Sequence, residues 1–135
     1  MLRVIRIIMV NIIVQEDCGN APKKAFLRDF IVAVVKGDNT FISGSTTDDI
    51  CWNYVGNGCF NGKHDALAAL KRLRSDEIRE LVIHTIITHG YHGCVEGALK
   101  FADGKMLAFC DVYQFRASTN DAPIKAIRTY AIING

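Results

Sequence analysis

From position 78 to position 133 the sequence alternates apolar and polar residues in long runs, with tight turns at two of the three breaks, and no other feature narrows the fold more. This alternation predicts strands over 78–88, 93–101, 105–115 and 124–133. Gly90-Tyr91-His92 and Asp103-Gly104 carry the residues that hairpin turns need, so the strands are expected to run antiparallel in chain order, as a meander.

The part before it has the period of helices. Over 22–36 the apolar residues Phe26, Leu27, Phe30, Ile31, Val34 and Val35 recur at helical spacing, while Lys23, Arg28 and Asp29 are expected on the other face. Pro22 suits a first turn, and Gly37 offers the backbone freedom at which helices commonly stop. Asp38 is placed to cap a shorter helix ending near Ser45. The polar run Thr46-Thr47-Asp48-Asp49 is expected to turn the chain into an extended segment over 50–55, with Gly56-Asn57-Gly58 as the next turn. After Gly62 a third helix carries Ala66, Leu67, Leu70 and Leu73 on one side. Helices followed by a run of antiparallel strands is an α+β pattern, in which helices cover one face of a bent sheet and leave a pocket on its concave side.

Bulk properties fit one domain spanning 1–135. A net charge of +2, with basic residues scattered rather than gathered with aromatics, argues against nucleic acid as a partner. Five cysteines with no CxxC spacing suit neither a disulfide framework nor a standard zinc site, and are expected as reduced thiols in a cytoplasmic protein. His89 and His92 flank a turn without nearby acids or thiolates, so no metal is expected, and no phosphate-cradling or other cofactor motif occurs. The apolar residues 1–14 fall short of the roughly 20 needed to span a bilayer and are expected to form an extra strand or an arm, with Met9 an alternative start.

The order of elements resembles the nuclear-transport-factor-2-like superfamily, the fold of SnoaL-like polyketide cyclases, bacterial ketosteroid isomerases and limonene-epoxide hydrolases. The likeness covers 21–133. It is carried by Lys36-Gly37-Asp38 after the first helix, Asp48-Asp49-Ile50 leading into Trp52, Gly62-Lys63 opening the third helix, and the run from Ala108 to Phe115. The resemblance implies a cone: three N-terminal helices packed on a strongly curved, mainly antiparallel sheet enclosing a pocket. Similar folds dimerise through the sheet, and long strands apolar on both faces point to a homodimer here.

Asp111 is the residue most suited to chemistry. Alternation sets it on one side with Leu107, Phe109, Tyr113 and Phe115, where burial opposes ionisation, would raise its pKa and could hold it protonated at neutral pH as a donor. By position it matches the protonated aspartate of ketosteroid isomerases; the alternative is a core carboxylate satisfied by a tyrosine, a histidine or backbone. His84, in the apolar run Val82 to Ile86, is either a sheet histidine or a pocket base paired with Asp111 or Tyr113. The isomerases' general base aligns with Asn53 and their helix tyrosine with Phe30, which argues against that reaction, since an amide cannot take the proton. The Asp-Arg-Asp arrangement of the epoxide hydrolases is missing too: Thr129 stands in for one carboxylate, and Glu96 is expected on the solvent side. Trp52, Tyr54 and Tyr130 are amphipathic aromatics. Either Trp52 and Tyr54 or Cys51, Asn53 and Val55 face the pocket, because alternation sends the two sets to opposite sides.

These readings lead to a protein that binds a small apolar carbonyl-type ligand and leave catalysis open; if it is an enzyme, an isomerase or cyclase activity resting on Asp111 and His84 is expected. A non-catalytic binding or homodimeric assembly module with its pocket filled by side chains is the alternative.

Overall fold

The computed structural model describes residues 9–15, 19, 21–73 and 76–134. The elements run β1 (Asn11–Val14), α1 (Pro22–Lys36), α2 (Asn39–Ser45), β2 (Thr46–Tyr54), β3 (Gly58–Asn61), α3 (Lys63–Leu73), β4 (Ile78–His89), β5 (His92–Phe101), β6 (Met106–Phe115) and β7 (Ile124–Asn134). They form three helices against one curved, unclosed sheet of seven strands, ordered β1-β4-β5-β6-β7-β2-β3. The antiparallel meander β4 to β7 is its middle, as the turns require. β2 joins parallel to β7, and β1 joins parallel to β4. Residues 11–14 are therefore the expected extra strand, while 1–8 lie outside the described residues.

α1 is the main cover of the sheet. Pro22 opens it, and Gly37 closes it in the left-handed region at φ 78°. Leu27 and Phe30 are wholly buried against the sheet, and Phe30 packs with ring centroids 6.3 Å from Trp52 and 5.9 Å from Tyr113. Lys23 belongs to this buried stripe rather than to the solvent face expected for it. It stands four residues before Leu27 and seven before Phe30, spacings that share one helix face. Its ammonium lies 4.7 Å from the Phe115 ring centre and donates to the carbonyls of Gly90 and Ser118, so the charge is satisfied where the stem is buried.

Two further details depart from the sequence reading. β2 starts at Thr46, not near position 50: Thr46 and Thr47 are buried, and the Thr46 hydroxyl donates to the Ile42 carbonyl at 2.9 Å, so a polar residue fits inside the fold. The short strand β3 pairs with β2 where only a turn and a helix start were expected, because pairing with a neighbour outweighs weak local propensity. Asp38 does cap α2, with Oδ1 accepting from the Phe41 amide at 3.1 Å.

A bulge in β4 lies at one functional candidate. Ile83 pairs with Gly97 and Thr85 with Glu96, which leaves His84 as the extra residue between them. Ile83 and Ile86 both point into the core, so His84 and Thr85 both reach the exposed face. Gly97 makes this possible: a Cβ there would lie 2.1 Å from the Val82 carbonyl oxygen and 3.2 Å from the Ile83 Cα, both backbone atoms. Gly97→Ala is expected to cost about 1–3 kcal/mol or more, as overpacked sites do, read as a lowered urea midpoint. A midpoint equal to that of the parent chain would mean that the bulge forms without a glycine.

Candidate functional site

The pairing of the strands builds the site. Val95, Asp111, Thr129 and Tyr54 are successive partners across β5, β6, β7 and β2, so their side chains stand in one row on the helix-covered face. Val95 is wholly buried on one flank of Asp111, and on the other the Thr129 hydroxyl donates to Asp111 Oδ1 at 2.7 Å. The Tyr113 hydroxyl donates to Oδ2 at 2.9 Å. Trp52 Nε1 donates in turn to Thr129 Oγ1 at 2.9 Å. Trp52, Thr129, Asp111 and Tyr113 thus form one buried relay ending on a single carboxyl group.

The relay borders a cavity of about 250 Å³. Its wall is aliphatic and aromatic, from Ile31, Val34 and Val35 of α1 and Leu70 of α3 to Phe60 of β3 and Phe109 of β6. Asp111 and Thr129 are the buried polar residues facing it, and the exposed Asn57 and Arg72 stand among its outer lining. Burial pushes the Asp111 carboxyl up to about 6, while the hydrogen bonds from Thr129 and Tyr113 pull the other way. The direction is the expected one: burial raises the group, and the two donors, which favour the anion, limit the rise. The Tyr113 phenol lies well above its ordinary range, first from burial and then from the charge beside it. Tyr54 is raised by burial and by Asp111.

The other candidates divide by the face they occupy. Trp52, Tyr54 and Phe109 line the cavity. Asn53 does not, because alternation turns it outward with Cys51 once Trp52 and Tyr54 face in. Phe30 and Tyr113 lie wholly buried behind the wall, Phe30 bracing Trp52 and Tyr113. Tyr130, next to Thr129, points to the opposite side and is 46% exposed. His84 is not the partner of Asp111: following the inward Ile83 it stands on the outer face, where its Nδ1 lies 2.6 Å from Glu96 Oε2, both side chains nearly half exposed. Glu96 is on the solvent side, as expected. Among the described residues no three His, Cys, Asp or Glu side chains gather as a metal would need, and no helix is long and apolar enough to cross a membrane.

Thr129 escaped the sequence reading as a partner of Asp111. The connection between β6 and β7 spans 116–123, too long for turn type to fix which residues face each other. The wall residues of α1 and α3 were visible as apolar stripes, but nothing in a stripe separates core from cavity wall.

No protein-family model matches the sequence, and no curated protein matches it. Solved structures do. An NTF2-like protein of unknown function from Cytophaga hutchinsonii is 25% identical, with a TM-score of 0.63 over 80% of this chain and 97% of that one. A protein named as a SnoaL-like polyketide cyclase from Shewanella denitrificans is 12% identical, with a TM-score of 0.67 over 82% and 90%. One named as a ketosteroid isomerase from Kribbella flavida is 11% identical, with a TM-score of 0.70 over 82% and 78%. The chain has the nuclear-transport-factor-2-like fold, and the expected resemblance holds at that level.

Because folded Asp111 keeps its proton to about pH 6 and an ordinary carboxyl only to 3.8, protonation favours the folded state. The stability this supplies is complete below the ordinary value and lost as pH rises through the folded one, on the order of 3 kcal/mol. Asp111→Asn is expected to remove that loss between about pH 4 and about pH 7, measured by urea denaturation of both chains. Equal pH slopes for the two would contradict it.

Proposed function

We propose that this is a cytoplasmic small-molecule binding protein whose cavity takes a compact apolar ligand carrying one carbonyl-type oxygen, held by Asp111 and Thr129. The observation behind this reading is a nearly all-carbon cavity of about 250 Å³ with one buried carboxyl at its wall. Ligand pockets usually run from about 300 Å³ upward, so the ligand is small. The open volume favours this over an assembly module with a filled pocket. Free cysteines fit a reducing compartment.

When Asp111 is protonated, its hydroxyl can donate to a ligand carbonyl, or donate to Thr129 Oγ1 and free the threonine hydroxyl to do so. When ionised, it can only accept. Isomerase or cyclase chemistry, as the names of the structural neighbours suggest, would use the same carboxyl to orient or protonate an enolising carbonyl. His84 has no place in that mechanism, since it stands on the far side of the sheet.

Binding of a small aromatic ketone such as acetophenone, followed by calorimetry, tests the reading. The competent fraction of Asp111 falls as pH rises through about 6, so affinity is expected to drop on the order of tenfold between about pH 5.5 and about pH 7.5. Asp111→Asn should flatten that profile, and Ala66→Phe should abolish binding by filling the cavity. Binding that survives Ala66→Phe, or a pH profile unchanged by Asp111→Asn, would sink the assignment.

A homodimer through the outer face of the sheet is part of the same proposal. Ile87, Tyr130 and Ile132 lie 60%, 46% and 67% exposed there, apolar surface that a second copy would cover. Sedimentation at micromolar concentration is expected to give a dimer, and Ile132→Lys a monomer. A monomeric parent chain would refute it.

A further inference from the structure

Four of the five cysteines stand on the outer face of the sheet, in two diagonal pairs across neighbouring strands. Cys51 of β2 and Cys59 of β3 bring their sulfurs to 3.0 Å, and Cys94 of β5 and Cys110 of β6 to 3.4 Å. The surroundings of the pairs differ. β5 and β6 lie inside the sheet with a paired strand on each side, so their backbones have no room to close a gap. Burial, and then Cys110 beside it, push the Cys94 thiol up to about 12, and Cys51 is raised as well, first by its contact with Cys59 and then by burial, so the difference between the pairs lies in the strands that carry them. β3 is an edge strand of four residues, bonded to β2 alone, and its turn includes Gly56 and Gly58 at positive φ. Cys59 is exposed and Cys51 half-buried behind it.

We infer that Cys51 and Cys59 form a peroxide-responsive thiol pair, whose disulfide pins the β2–β3 hairpin against the cavity. Cys59 gives up its proton and the exposed thiolate attacks one oxygen of hydrogen peroxide; the O–O bond breaks, and the departing hydroxide takes that proton and leaves as water, with Cys59 now a sulfenic acid. The Cys51 sulfur then attacks Cys59, expelling hydroxide, which takes the Cys51 proton and leaves as a second water. Two thiols lose two electrons and one peroxide gains them. The sulfurs must close from 3.0 Å to about 2.05 Å, a movement that an edge hairpin can supply and the sheet centre cannot.

The hairpin gives this bond a consequence. Tyr54, Asn57 and Phe60 all belong to it and all line the cavity, so tying Cys51 to Cys59 holds one wall in place. This inference stands on the sulfur geometry and holds whatever the cavity binds.

Treating the full chain with hydrogen peroxide, alkylating with iodoacetamide and mapping peptides by mass spectrometry tests it. The expected result is a loss of two hydrogens linking Cys51 to Cys59, reversed by dithiothreitol, with Cys94 and Cys110 still alkylated. Cys59→Ser should abolish the link and leave Cys51 alkylated. Amide exchange over 53–62 should slow on the order of fivefold in the oxidised chain. Alkylation of both Cys51 and Cys59 after peroxide, or a linkage joining Cys94 to Cys110, would overturn the pair. A Cys51–Cys59 bond with unchanged exchange would overturn its hold on the wall.

Discussion

Placing Asp111 directly opposite Thr129 is the constraint on which the site depends. A carboxyl group with Val95 on one side and aromatic rings around it would be costly to bury alone. The strand register supplies a hydroxyl at 2.7 Å on one oxygen, and Tyr113, two residues along the same strand, supplies another at 2.9 Å on the second. Each oxygen has one donor, and the Trp52 indole fixes the threonine that serves the first. The same row leaves the carboxyl beside a cavity instead of inside a packed core. Its acidity therefore reflects two opposed effects, burial and donation, of which burial is the larger, and the carboxyl comes out raised to about 6.

The sheet reaches this arrangement through local irregularities as much as through regular pairing. The bulge at His84 lets β4 keep Ile83 and Ile86 in the core while its phase changes, and Gly97 gives the neighbouring carbonyl the space it occupies. Removing one histidine from the inner face leaves Asp111 as the titratable side chain of the relay that changes charge nearest neutrality. The outer face receives what the inner one excludes: the His84–Glu96 pair, both thiol pairs and an apolar strip around Tyr130 and Ile132. The two faces thus hold chemistry of different kinds, a dry carboxyl inside and accessible sulfur outside. The hairpin β2–β3 belongs to both, because Trp52, Tyr54 and Phe60 point in while Cys51 and Cys59 point out.

Much of this was legible in the residues. Strand alternation and turn residues determined the antiparallel meander, the stripe from Leu27 to Val35 determined the covering helix, and Asp38 marked the start of the next. Alternation also put Asp111 among apolar neighbours, and burial in such company raises the pKa of a carboxyl. These features are local, set by neighbours along the chain through side-chain direction and backbone freedom. Tertiary structure decided the rest, because each remaining question concerned partners distant in sequence. Which face of β2 looks inward depends on its parallel pairing with β7, and Thr129 meets Asp111 only through the register across the long 116–123 connection. Thr85 joins His84 on the outer face because a single extra residue reverses a strand's phase, and the approach of Cys51 to Cys59 needed an edge strand that weak local propensity had hidden.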